Sequence, residues 1–98
     1  MFARIGSWEG SAEEMERWVA RSRRDVKPAV QSQPGVRGAL WLLDRTTGRG
    51  LTITLWENEE ALRASDGLAA SVQAGTNAAS GARVTTSRYE IVESFRAD

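Results

Sequence analysis

Ninety-eight residues make one domain and leave no room for a second independent core. Thirteen basic and thirteen acidic residues cancel, which excludes a nucleic-acid footprint or a polybasic membrane patch. Cysteine and histidine are both absent, which removes disulfides, thiol nucleophiles, thiolate metal sites, imidazole bases and the usual haem ligand together.

Phe2–Trp8 reads as a first strand, and Glu9-Gly10 turns it into Ser11-Ala12-Glu13-Glu14. That tetrad is a capping box: Ser11 caps the amide of Glu14 while Glu14 reaches back. Met15, Trp18, Val19, Ser22 and Val26 then recur at helical spacing. Pro28 predicts a kink or end near Asp25–Lys27, followed by another turn through Ala29 and Val30, because an interior proline removes a hydrogen bond and restricts its predecessor. Pro34-Gly35 stops the helix.

Val36–Trp56 reads as a β-hairpin whose loop, Asp44–Gly50, needs a left-handed residue near Gly48. Both faces of this hairpin are apolar. Val36, Leu40 and Leu42 alternate with Ala39, Trp41 and Leu43; Leu51, Ile53 and Leu55 alternate with Thr52, Thr54 and Trp56. A sheet with one wet face would alternate apolar with polar, so both sides need cover. Helices of the same chain cover one; a second copy of the protein is expected on the other.

Asn58 is the expected N-cap of a second helix with a buried stripe at Ala61, Leu62, Ser65, Leu68, Ala69 and Val72, fraying from Gly75 to Gly81. Ala82–Phe95 returns to alternation and reads as the last strand, with Arg88 and Tyr89 on opposite faces. The order β-α-β-β-α-β defines an α+β, ferredoxin-like domain over residues 1–98: a four-stranded antiparallel sheet with two helices on one face. No apolar run approaches the ~20 residues of a membrane span, no signal-peptide pattern is present, and a cytoplasmic protein is expected.

The strand ending near Gly10-Ser11, Pro34-Gly35-Val36-Arg37-Gly38, the hairpin Asp44–Gly48, and Leu55-Trp56-Glu57-Asn58-Glu59-Glu60-Ala61-Leu62 together resemble the antibiotic-biosynthesis monooxygenase family of the dimeric α/β-barrel superfamily. The resemblance implies a homodimer and, in each protomer, a cleft between sheet and helices. Some members of that family oxidise polycyclic aromatics with molecular oxygen and no cofactor; others open haem through a histidine. Trp56 stands at the family tryptophan. The asparagine four residues before it is here Thr52, the tyrosine six residues after it is Leu62, and the frequent histidine nine residues after it is Ser65. No cofactor and no metal is therefore expected.

Trp56 reads either as an aromatic wall for a flat ligand or as core. Arg4, Thr52, Thr54, Ser65, Arg88 and Tyr89 are the polar candidates for lining the cleft. Arg4 or Arg88 would neutralise an enolate or carboxylate, or else pair across strands with Glu90. Tyr89 would move a proton, or sit in an interface. Trp41, Leu43 and Ala39 are assigned to the dimer interface, and Trp8 only to stapling the helix start. Two functions follow: a cofactor-independent monooxygenase-like protein acting on a small aromatic or polyketide-like compound, or a non-catalytic dimeric small-molecule-binding or stress-related module.

Overall fold

The computed structural model describes residues 1–80 and 84–97. The first strand, β1 (Phe2–Glu9), leads into α1 (Ala12–Arg21) through the expected capping box. The Ser11 hydroxyl accepts from the Glu14 amide, and the Glu14 carboxylate accepts from the Ser11 amide at 2.8 Å. Those hydrogen bonds, the backbone one first, hold the Glu14 carboxyl below the usual carboxylate range. The helix then widens into a π-turn (Ser22–Val26) and tightens again as α2 (Lys27–Gln31), with Pro28 in its first turn. The widened turn draws the preceding carbonyls away from the proline ring, which resolves the conflict expected at this point.

Strands β2 (Val36–Asp44) and β3 (Arg49–Trp56) form the hairpin, and Gly48 in its loop has φ +73°. A Cβ at Gly48 would lie 2.5 Å from the Gly10 carbonyl oxygen, so only glycine fits both the turn and the close approach. A bulge between Val36 and Gly38 shifts the register: Val36 pairs with Trp56, while Gly38 pairs with Leu55. The alternation expected from Val36 onward therefore holds only after the bulge.

The second helical segment is broken. α3 (Glu59–Ala64), capped by Asn58 as expected, stops at Ser65, and α4 (Asp66–Ser80) begins anew. The Leu62 carbonyl accepts from Arg4 Nη2 at 3.0 Å and from the Ser65 hydroxyl at 2.6 Å, and these claims divert it from the ordinary helical ladder. Fraying from Gly75 is not what occurs: α4 continues to Ser80. Gly75 leaves room for the Arg21 side chain, and Arg21 Nη1 donates to the Thr76 hydroxyl at 2.8 Å, tying α4 to α1. Gly81 and Ala82, the expected end of the tail and start of the last strand, lie outside the described residues.

The last strand, β4 (Val84–Glu90), is shorter than expected; residues 91–97 have no regular structure. Phe2↔Glu90 is the final rung of the register with β1, followed by one more backbone bond, from the Ile91 amide to the Met1 carbonyl at 2.8 Å. The sheet is antiparallel with order β2-β3-β1-β4, and the helices cover one face, as the ferredoxin-like reading requires. Trp8, Met15 and Trp18 form the core beneath α1, the two indoles tilted with centroids 5.1 Å apart. Among the described residues no helix is long and apolar enough to cross a membrane.

Candidate functional site

Every second residue of β1 and β3 faces the helices. Arg4, Gly6 and Trp8 stand beside Thr54, Thr52 and Gly50 in register, with Trp56 at the end of β3. Gly6 raises no side chain, so a cleft reaches down to the sheet between α4 and the α1–α2 segment. Thr86 of β4 closes one side; Val26 and Val30 oppose Leu68, Ala69 and Val72. The cavity amounts to about 80 Å³ of space for the centres of water-sized molecules. One water needs only ~10–15 Å³ of that space, so a small ring system is of the right order. Its walls are apolar apart from a few placed polar groups, the usual make-up of a small-molecule site.

Trp56 is 2% exposed, and its indole N–H donates to the Thr54 hydroxyl at 2.9 Å. It offers the cleft a ring surface and no free donor. Arg4 is the best-anchored cation: Nη2 donates to the Leu62 carbonyl, to the Ser65 hydroxyl at 3.1 Å and to Asp66. Its side chain is 12% exposed, against 54% for Arg88, which reaches the other oxygen of Asp66 at 3.5 Å. The hydrogen bond from Arg4, with further pull from Arg88 and Arg63, holds the Asp66 carboxyl below the usual carboxylate range. Asp66 is thus an ionised brace for two arginines and a poor proton acceptor.

Of the residues singled out in the sequence, Trp56, Thr52, Thr54, Ser65 and Arg4 come together around the cleft, while Arg88 is not among its lining residues and is joined to Arg4 only through Asp66. Tyr89 does not join them. It pairs with Ala3 on the opposite face and is 55% exposed, because alternation along β4 turns it away from Arg88. Trp41, Leu43 and Ala39, the residues expected at a dimer interface, lie on the helix-facing side of β2, paired with Thr52, Gly50 and Thr54. Trp41 and Leu43 pack against Trp8, Met15 and Trp18, and all three residues line the groove beside α1. The uncovered apolar surface belongs to their alternates, Leu40 and Leu42, with Leu51 and Ile53 beside them in register.

Two participants were not singled out. Trp8, read as a staple, walls the cleft. Asp66 falls inside the expected second helix, where Ser65-Asp66-Gly67 carries a helix-start signature.

The family model for antibiotic biosynthesis monooxygenase matches residues 1–75, and the chain belongs to that family. Rv2557, an uncharacterized protein of Mycobacterium tuberculosis, is 34% identical over 65 residues; the match takes in 66% of this chain and 29% of that protein, so the chain spans well under half of the curated relatives it matches. Among solved structures, a monooxygenase from the gene ActVA-Orf6 of Streptomyces coelicolor, in complex with nanaomycin D, superposes with TM-score 0.78 at 13% identity, over 99% of this chain and 92% of that one. The heme-degrader MhuD of M. tuberculosis, with two hemes in its active site, gives 0.74 at 25% identity over 98% and 100%. A dimeric ferredoxin-like protein from an uncultured marine organism gives 0.71 at 14% identity over 96% and 97%.

The residues present do not fit haem. The sequence supplies neither imidazole nor thiolate. Ser65, where the resemblance places the family histidine, is 2% exposed with its hydroxyl committed to Leu62 and Arg4. A hydroxyl so held is no axial ligand.

Proposed function

We propose that this protein is a cofactor-independent monooxygenase-like protein that binds a small aromatic or polyketide-like compound in the cleft over β1 and β3. The observation that carries the reading is a largely apolar cleft with one anchored cation, Arg4, at its edge. An electron-rich phenol or anthrone-type compound ionises readily. Its anion gives an electron pair to dioxygen, and the resulting hydroperoxide loses water, so a ring methylene becomes a carbonyl and the second oxygen atom leaves as water. The protein's part is to exclude water, stack the ring on Trp56 and stabilise the developing negative charge with Arg4. The chemistry itself belongs to the substrate anion, so the lack of a histidine base is no obstacle when the substrate is acidic.

The reading includes a homodimer, supported by the aliphatic sheet face that no helix covers, a surface of the kind that marks an interaction site. A cytoplasmic location goes with it.

Oxygen uptake with an anthrone-type substrate tests the activity. Native protein should consume oxygen, and Trp56→Phe, which keeps a ring, should retain part of that activity. Saturable binding without uptake across a panel of such substrates favours the non-catalytic module. That reading draws its support from Thr52, Leu62 and Ser65 standing where the family's asparagine, tyrosine and histidine stand.

A further inference from the structure

Two buried side-chain nitrogens among the described residues have no hydrogen-bond partner: Arg4 Nε and Trp8 Nε1. Both belong to residues that wall the same cleft. An unpaired buried donor costs on the order of 1–3 kcal/mol, and chance does not favour two of them sharing one cavity. Both residues lie on the helix-facing side of β1, four positions apart, so their backbones are separated by roughly 13 Å along the strand. They stand toward the two ends of the cleft.

The orientation of Trp8 supports this. A Cβ added at Gly10 would sit 3.3 Å from Trp8 Cζ3, so the benzo edge is turned toward the start of α1. The pyrrole edge, which carries Nε1, is turned away from it. The indole is 3% exposed and rests on Trp18, which fixes the ring. Trp56 differs: its N–H is already spent on Thr54.

We infer that the cleft takes a flat aromatic ligand bearing an acceptor oxygen at each end of its long axis. One oxygen, the more acidic, accepts from Arg4 Nε; the other accepts from Trp8 Nε1. Trp8 is then a ligand-positioning donor, while Trp56 contributes only a surface. The inference rests on the cleft reading given above and deepens it: it names the ligand class, and it holds whether or not the ligand is oxidised.

The test is anaerobic calorimetric titration of native protein and Trp8→Phe with 2,6-dihydroxynaphthalene and with 2-naphthol. Phenylalanine keeps an aromatic ring against Trp18 but removes the N–H together with two ring carbons, so the readout is the ratio of the two affinities and not either one alone. Native protein should bind the diol about fivefold more tightly than 2-naphthol, the ratio one hydrogen bond contributes. In Trp8→Phe that preference should vanish, whatever change in affinity the smaller ring imposes on both compounds alike. The indole N–H resonance that Trp8→Phe deletes should shift with the diol and stay still with 2-naphthol. Equal weakening of both ligands, or an undiminished preference for the diol, overturns the inference and leaves the cleft reading standing. The expected pattern without oxygen uptake supports the inference and removes the monooxygenase reading. Failure of both compounds to bind overturns both.

Discussion

The two faces of the sheet carry the opposite of what their surroundings lead one to expect. The helix-covered face presents Arg4, Gly6, Thr52, Thr54 and Thr86 along with its tryptophans. The uncovered face presents Ile5, Ile53 and Leu40 in one row across three strands, and Leu51 beside Leu42 in the next. In a sheet built only for its own stability the covered side would be the aliphatic one. Polar groups and missing side chains under the helices make room for a guest; aliphatic side chains in the open ask for a cover. On the reading proposed above, the covered face serves binding and the open face assembly.

The sharpest way to break this contrast is to charge the open face. Ile53→Asp should convert a particle of twice the 10.7 kDa chain mass into a single chain by sedimentation, while the monomer keeps its helical circular-dichroism signal. A native protein that sediments as one chain at micromolar concentration removes the assembly half of the comparison. On the covered face, Arg4→Met should be the most damaging change. It strips a partner from the Leu62 carbonyl, the Ser65 hydroxyl and Asp66, and we expect a loss of about 2 kcal/mol, or about 10 °C in Tm. Ser11→Ala, remote from both faces, should cost about 1 kcal/mol through the lost cap. Gly67→Ala meets no atom within 4 Å and should stabilise α4 by about 0.5 kcal/mol in urea titrations.

The smallest effect is that of pH. With no histidine, nothing in the side-chain set titrates at its ordinary value between pH 5 and 8, and Tm should be flat there. Glu14, Asp44 and Asp66 have carboxyls held below their ordinary values: Glu14 by the Ser11 amide, Asp44 by the amides of Thr47 and Thr46, Asp66 by Arg4. Depressed carboxylates stabilise the fold above their unfolded values, near pH 4, and that contribution is lost as pH falls through the lower folded ones. A melting series should therefore decline only below about pH 4. A fall between pH 8 and 6 would contradict the assignment.

Much of this architecture is legible in the sequence where a local rule decides it. Ser11 and Glu14 announce a cap, Gly48 a left-handed turn, and Leu51 to Trp56 two distinct faces. The sequence is silent where a contact distant along the chain decides. Arg4 breaks a helix 58 residues away by taking the Leu62 carbonyl, and Arg21 anchors α4 at Thr76, past a glycine that local propensity reads as an end. The site follows the same division. Strand alternation put Thr52, Thr54 and Trp56 together, and Arg4 on their face. Which side of the hairpin the helices cover is a tertiary choice, so the pattern alone does not show that Trp41 packs against Trp8, Met15 and Trp18. Trp8 reads only as a staple at the helix start, because the unpaired state of its indole N–H is visible only in the packing.

The widened turn at Ser22–Val26 has a consequence for insertions and deletions. Trp18, Ser22, Val26 and Val30 are all buried, yet they recur every four residues, and a regular helix drifts by about 40° at each such step. The slack turn takes up that drift, so the segment acts as a length gauge with one residue to spare. Deleting Arg24 would let the helix close up normally and leave Val26 and Val30 within about 20° of the direction of Trp18. The cleft would keep both walls, so this one turn can lose a residue where the regular turns on either side of it cannot.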